Sequence, residues 1–206
     1  MMADTFKNFA DLKAAVDPND YSITYEKTEN SEFLVLSPHG GSIEGGVSEL
    51  VRAFLVDNYS IYLFEGLRAT GNRELHITSS NFDEPTALKA VSEHDKTISF
   101  HGYKDTVNKH TLVGGTNGPL AKKIADDLVR QGFSAELIPV DHKFAGTNPE
   151  NINNKCRTGL SVQLEISTAQ RQAFFNKFTR EERQYTKNDE FHKYVASIYL
   201  SMLEGV

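Results

Sequence analysis

The run Phe33-Leu34-Val35-Leu36 constrains this chain more than any other stretch. Four apolar residues in a row, with no polar alternation, suit a strand covered on both faces. Such a strand needs helices on either side of a largely parallel sheet, and helical spacing follows at once in Val47, Leu50, Val51, Phe54 and Leu55. Ahead of the run, Phe6 to Val16 reads as a short amphipathic helix. Tyr21 to Tyr25 reads as a strand with Tyr21, Ile23 and Tyr25 on one face. Beyond it, Ile61 to Phe64, Leu75 to Thr78, Thr97 to His101, Thr111 to Gly114, Ala135 to Val140 and Leu160 to Ile166 read as strands. Helices are expected over Thr86 to Glu93, where Pro85 takes a favoured first-turn position, and over Leu120 to Gln131, where Gly132 supplies a left-handed cap. Thr168 opens another helix, and Glu190 to Leu203 forms a last one presenting Phe191, Tyr194, Val195, Ile198, Tyr199 and Met202. Strands alternating with helices predict an α/β sheet.

With 206 residues, no internal repeat and no linker, one domain over 1–206 is expected. Hydrophobic residues at 39% suffice for a core, which excludes a disordered or fibrous chain. Lys+Arg 22 against Asp+Glu 28 gives a net charge of −6, so nucleic acid is not an expected partner. The lone Cys156 cannot form an internal disulfide, and without a neighbouring histidine it reads as an inert thiol. No segment approaches the roughly 20 apolar residues of a membrane helix. Asp4, Asp11, Asp17 and Asp20 fill the region where a signal peptide would need an apolar core. A chain made in a cytoplasm, monomeric and without an export route of its own, is the expectation.

Among seven histidines, two stand out by position. His39 follows the apolar run within Ser37-Pro38-His39-Gly40-Gly41-Ser42-Ile43-Glu44, and His101 ends Ile98-Ser99-Phe100-His101-Gly102. Open α/β sheets place ligands at the carboxyl ends of their strands. Glu44 is expected to open the next helix, where the helix dipole favours a carboxylate even without function. Together, two histidines and a carboxylate match the ligand count of a catalytic zinc site with one position open. Gly40 and Gly41 allow the turn that brings His39 and Glu44 to one point. Glu165, beside Gln163 on the face of its strand opposite Val162, Leu164 and Ile166, is the candidate base.

The loop Asp141 to Arg157 is long for a structureless segment, which draws attention to it and to the strand it feeds. Arg68, Arg73, Arg157 and Arg171 lie in loops or at element ends. Asn81, in Ser79-Ser80-Asn81-Phe82-Asp83-Glu84-Pro85, is a candidate substrate contact. Gly114-Gly115-Thr116-Asn117-Gly118 lacks the Lys-Ser/Thr pair of a phosphate loop and reads as an ordinary turn.

Taken together, Ser-Pro-His39-Gly-Gly-Ser-Ile-Glu44-Gly, Phe100-His101-Gly and the passage from Asn151 through Arg157 to Val162-Gln163-Leu164-Glu165-Ile166-Ser167 resemble the poly-γ-glutamate hydrolases of Bacillus bacteriophages, over nearly the whole chain. The resemblance implies a zinc carboxypeptidase-like fold, a mixed twisted sheet flanked by helices, and cleavage of the γ-amide bonds of a host capsule polymer. It places His39, Glu44 and His101 on the metal-ligand positions and Glu165 on the base position. Relatives carry Gly-x-Gly-Val-Gln-Leu-Glu before that base; here Leu160-Ser161 follows Gly159, so the second glycine is missing.

The expected activity is a zinc-dependent endo-hydrolase, with Zn2+ as cofactor, poly-γ-glutamate as partner and no membrane partner. Glu165 would serve as base, and zinc with Arg157 or a neighbouring donor would stabilise the oxyanion. Lys143, Lys155, Arg157 and Arg171 would line a basic groove for the polymer's free carboxylates. Two alternatives share much of this pattern: a small-molecule N-acyl-glutamate amidohydrolase, and a polyanion-binding module without catalysis.

Overall fold

The computed structural model describes residues 4–56 and 59–204. The apolar run at Phe33 becomes β2 (Phe33–Gly41), buried along its whole length. Around it lie β1 (Tyr21–Glu26), β3 (Ser60–Gly66), β4 (Lys96–Tyr103), β5 (Thr111–Gly114), β6 (Ala135–Leu137) and β7 (Leu160–Ser167). Among the described residues these form one mixed sheet in the order β1-β3-β2-β4-β7-β5-β6. The four central strands β3, β2, β4 and β7 are parallel, so their carboxyl ends share one edge. β1 and the β5–β6 pair run antiparallel to their inner neighbours.

Helices cover both faces. On one, α2 (Val47–Leu55), α4 (Gly118–Arg130) and α7 (Asp189–Glu204) pack over Val35, Ile61, Ile98, Phe100, Val162 and Leu164. On the other, α1 (Phe9–Ala15) and α3 (Pro85–Ser92) cover Leu34, Leu36, Tyr62 and Phe64. On this second side β4 and β7 turn polar, presenting Thr97, Ser99, His101, Ser161, Gln163 and Glu165, all buried. A turn of 3-10 helix at Ile152–Lys155 covers them, with Thr97 Oγ1 donating to the Asn153 carbonyl at 2.9 Å.

Several expectations need correction. Leu75 to Thr78 is not a strand: a 3-10 turn occupies Asn72–Leu75, and the Thr78 N–H donates to the Asp4 carboxylate at 2.6 Å rather than to a ladder. The strand at Ala135 stops at Leu137, because Pro139 has no N–H to continue it. Glu44 lies in the turn before α2, not in the helix, whose cap is Gly46. The helix at Phe6 begins at Phe9, capped by Asn8, whose side chain accepts from the Asp11 N–H at 2.9 Å. Two short helices follow β7: α5 (Thr168–Ala173), expected from Thr168, and α6 (Arg180–Arg183), which the sequence pattern did not signal.

Candidate metal centre and active site

His39 sits near the end of β2, where that strand holds one more residue than β3 between Ser37 and Gly40. Bulges of this kind re-aim side chains beside functional sites. The chain then reverses at Gly41 (φ +65), where a Cβ would lie 2.4 Å from the Gly66 carbonyl oxygen. The turn delivers Glu44 beside His39, and the neighbouring strand β4 supplies His101. The His39 and His101 Nδ1 atoms are 3.0 Å apart, His39 Nδ1 is 3.5 Å from Glu44 Oε1, and His101 Nδ1 is 3.9 Å from Glu44 Oε2. A tetrahedron with bonds of 2.0–2.1 Å has edges of about 3.3 Å, so the three groups stand as ligands to one ion would.

The hydrogen bonds suit that role. His39 Nε2 lies 2.8 Å from the Ile77 carbonyl, so it carries the proton and leaves a lone pair on Nδ1. Two Nδ1 atoms at 3.0 Å must share a proton unless a cation lies between them, and the buried His101 Nε2 has no hydrogen-bond partner among the described residues. Glu44 Oε2 accepts the Gly102 N–H at 2.7 Å. Burial works against the Glu44 charge, but His39, His101 and His76 outweigh it and hold the carboxyl below its ordinary range. Burial, reinforced by His39, pushes the His101 imidazole down to about 3. Neutral imidazoles with an ionised carboxylate are the forms that bind a metal ion.

Glu165 stands directly opposite His101 in the β4–β7 register. Its Oε1 accepts from Gln163 Nε2 at 3.1 Å. Burial first, and the Glu44 charge second, raise its pKa well above the ordinary value. His76 joins the cluster as well. Its ring stacks on His39 at 4.0 Å, Nδ1 lies 2.7 Å from the Asp4 carboxylate, and Nε2 lies 4.0 Å from Glu44 Oε1.

These groups floor a cleft of about 920 Å3. One wall is formed by the stretch from Arg73 to Ser80, the other by Val140 to Asn151 with Tyr103 and Lys104. Of the expected substrate contacts, Lys143 lines the cleft, its ammonium 4.7 Å over the Phe144 ring. Arg171 reaches the cleft too, but its guanidinium is engaged by the Gly45 carbonyl at 2.6 Å and the Ile166 carbonyl at 3.1 Å. Three other candidates lie elsewhere. Arg157 pairs with Asp95 at 3.1 Å beside the start of β4, the end opposite the cluster, which removes it from the oxyanion. Lys155 pairs with Glu150 at 3.4 Å, and Asn81 is exposed outside the cleft although Ser79 and Ser80 line it. Arg73 and Lys104 line the cleft and, like Lys143, pair with no carboxylate among the described residues.

The model of the family described as poly-gamma-glutamate hydrolase matches residues 6–197. The UPF0714 protein YmaC of Bacillus subtilis (strain 168) is 55% identical over 195 residues, which is 95% of this chain and 82% of that protein. Among solved structures, the zinc-free apo form of YNDL superposes with a TM-score of 0.95 at 43% identity, covering 98% of this chain and 99% of the other. A bacteriophage poly-gamma-glutamate hydrolase superposes with a TM-score of 0.92 at 40% identity, covering 98% of each. A family model matched over nearly the whole chain, and a fold shared from end to end with the phage hydrolase, place this chain in the poly-γ-glutamate hydrolase family.

Proposed function

We propose that the protein is a zinc-dependent endo-hydrolase of γ-glutamyl amide bonds in poly-γ-glutamate, the polymer of the host capsule. One observation carries this reading. The His39–Glu44–His101 triad and Glu165 converge in a cleft lined by Arg73, Lys104 and Lys143, which have no carboxylate partner among the described residues. A polymer with a free carboxylate on every unit would supply those partners. The family match and the likeness to the phage hydrolase support the same substrate.

His39, Glu44 and His101 would hold the zinc. When bound, zinc acts as a Lewis acid and lowers the pKa of water from 15.7 to about 7. Glu165 accepts the proton of the attacking water and returns it to the departing amine. Gln163 holds one oxygen of that carboxylate and leaves the other free for the exchange. Buried Arg171, whose pKa is lowered by burial and supported by the nearby Glu44 and Glu165 charges, balances the two carboxylates without binding substrate.

Elemental analysis should find one zinc per chain, lost in His39→Ala and His101→Ala. Sizing of γ-linked and α-linked polyglutamate at early times should give a rapid fall in length for the γ-polymer alone. Release of single glutamates from an otherwise full-length chain would mean exo-action. Equal cleavage of both polymers would end the claim of linkage specificity.

A further inference from the structure

Glu44 is held in a turn with two carbonyl anchors, and both anchors are arginines from the far end of the sequence. Arg171, in α5, donates through Nη1 to the Gly45 carbonyl at 2.6 Å. Arg183, in α6, donates through Nη2 to the Gly41 carbonyl at 2.8 Å and through Nε to Glu49 Oε1 at 3.0 Å. Each arginine is at most 5% exposed. Gly41 and Gly45 bracket Glu44, so the two guanidinium groups grip the turn at both ends. Arg183 touches neither the cluster nor the cleft. Its guanidinium lies 5.2 Å from the Phe178 ring centroid, and a Cβ on Gly45 would come within 3.0 Å of its Nη1.

We propose that Arg183 is a positioning residue for the metal ligand Glu44, and that through the Gly41 carbonyl it sets the zinc affinity of the cluster from α6. A turn that must reverse at Gly41 and Gly46, both at positive φ, has little stiffness of its own. A buried, planar fork fixing two acceptors at once supplies that stiffness in a way one ammonium cannot. Outer partners that orient a ligand typically change metal affinity by about 10–100-fold when lost. The inference rests on reading the cluster as a metal site, and not on which polymer is cut.

The test compares Arg183→Met/Glu49→Met with the wild type. Replacing both members of a buried ion pair by apolar residues of similar size often leaves stability unchanged or raised, whereas removing one strands the other. Thermal melts of the zinc-free proteins monitor the fold, and competition with a chromophoric chelator measures zinc affinity. The expected result is a zinc-free melting temperature close to wild type with zinc binding weakened about 10–100-fold. Affinity within threefold of wild type overturns the proposal. If the double variant does not fold, Arg183→Lys carries the test. It keeps the charge but reaches one acceptor, so a loss of more than threefold supports the role and a smaller one overturns it. A wild type that binds zinc tightly yet leaves poly-γ-glutamate intact would refute the proposed substrate and leave this inference standing. A wild type that takes up no zinc overturns both.

Discussion

The two sides of β4 and β7 were built for different purposes. Toward α2, α4 and α7 the pair presents Ile98, Phe100, Val162, Leu164 and Ile166, packed into one apolar cluster. The opposite side of the same strands presents Thr97, Ser99, His101, Ser161, Gln163 and Glu165, equally buried; His101 meets His39 on β2, and the others are hydrogen-bonded to one another or to the loop above. Burying polar groups costs free energy unless partners are supplied. The apolar side stabilises the sheet by leaving water. The polar side brings Glu165 and His101 against Glu44 and His39 from the neighbouring strand and turn, and these groups perturb one another at close range.

That division predicts that single changes act on activity or on stability according to the side they touch. Glu165→Gln should have the largest effect. The amide is nearly isosteric but cannot accept a proton, so turnover should fall about 10²–10⁴-fold while fold and zinc content persist. Rates measured beside melts and zinc content check this. An activity within a few-fold of wild type would put the base elsewhere. Stability should move the other way. Burial raises the folded pKa of Glu165 above 4.5, so its contribution to the zinc-free fold is fully present below that pH. The contribution is lost as pH rises through the folded pKa. Zinc-free Glu165→Gln, neutral throughout, should therefore melt higher than wild type near pH 8 and not near pH 4.

Leu164→Ala tests the other side of the same strand. Leu164 is fully buried, and truncation of such a leucine costs about 2–5 kcal/mol. Chemical denaturation should show that loss, while kcat/KM of the folded fraction stays within a few-fold. A large loss of kcat/KM with little loss of stability would erase the distinction between the two faces.

The apolar side was legible in the sequence because its rules are local. Phe33 to Leu36, the strand Thr111–Gly114 and the cap at Gly132 follow from patterns a few residues long. His39 and His101, two of the three clustered residues, stood out because strand ends followed by glycine leave a mark. The remainder of the polar side depends on contacts between distant positions. At the cluster His76 stacks on His39, and its Nδ1 pairs with Asp4, 72 residues away in sequence. Its stretch imitates a strand in composition, and no spacing links it to His39. Arg183 meets Gly41 across 142 residues and from a four-residue helix with no periodic signal.

The cleft walls extend the comparison with a smaller effect. Arg73 and Lys143 line the cleft with no carboxylate partner among the described residues, so Arg73→Ala and Lys143→Ala should each raise KM for poly-γ-glutamate several-fold with kcat little changed, since exposed charge contacts contribute about 0.2–1 kcal/mol each. The losses should shrink as salt is added, because screening weakens exposed charges. Salt-independent losses would point to packing rather than charge.

The smallest effect is expected at Arg157, and it separates sequence proximity from spatial proximity. Arg157 precedes Glu165 by only eight residues, but β7 carries the chain across the sheet in between. At about 3.3 Å per residue, the passage from Leu160 to Glu165 alone spans about 16 Å. The guanidinium therefore lies by the amino ends of the parallel strands, more than half exposed and paired with Asp95. A cation at that distance, and in solvent, is beyond the screening length of about 8–10 Å and cannot stabilise charge developing near His101. Removing it should cost no more than a surface ion pair, roughly 0–1 kcal/mol of stability. Arg157→Ala should keep kcat and KM within twofold of wild type, measured on poly-γ-glutamate at low and moderate salt. A drop in kcat of tenfold or more would return this arginine to the reaction and would require a cleft that closes over the opposite end of β7.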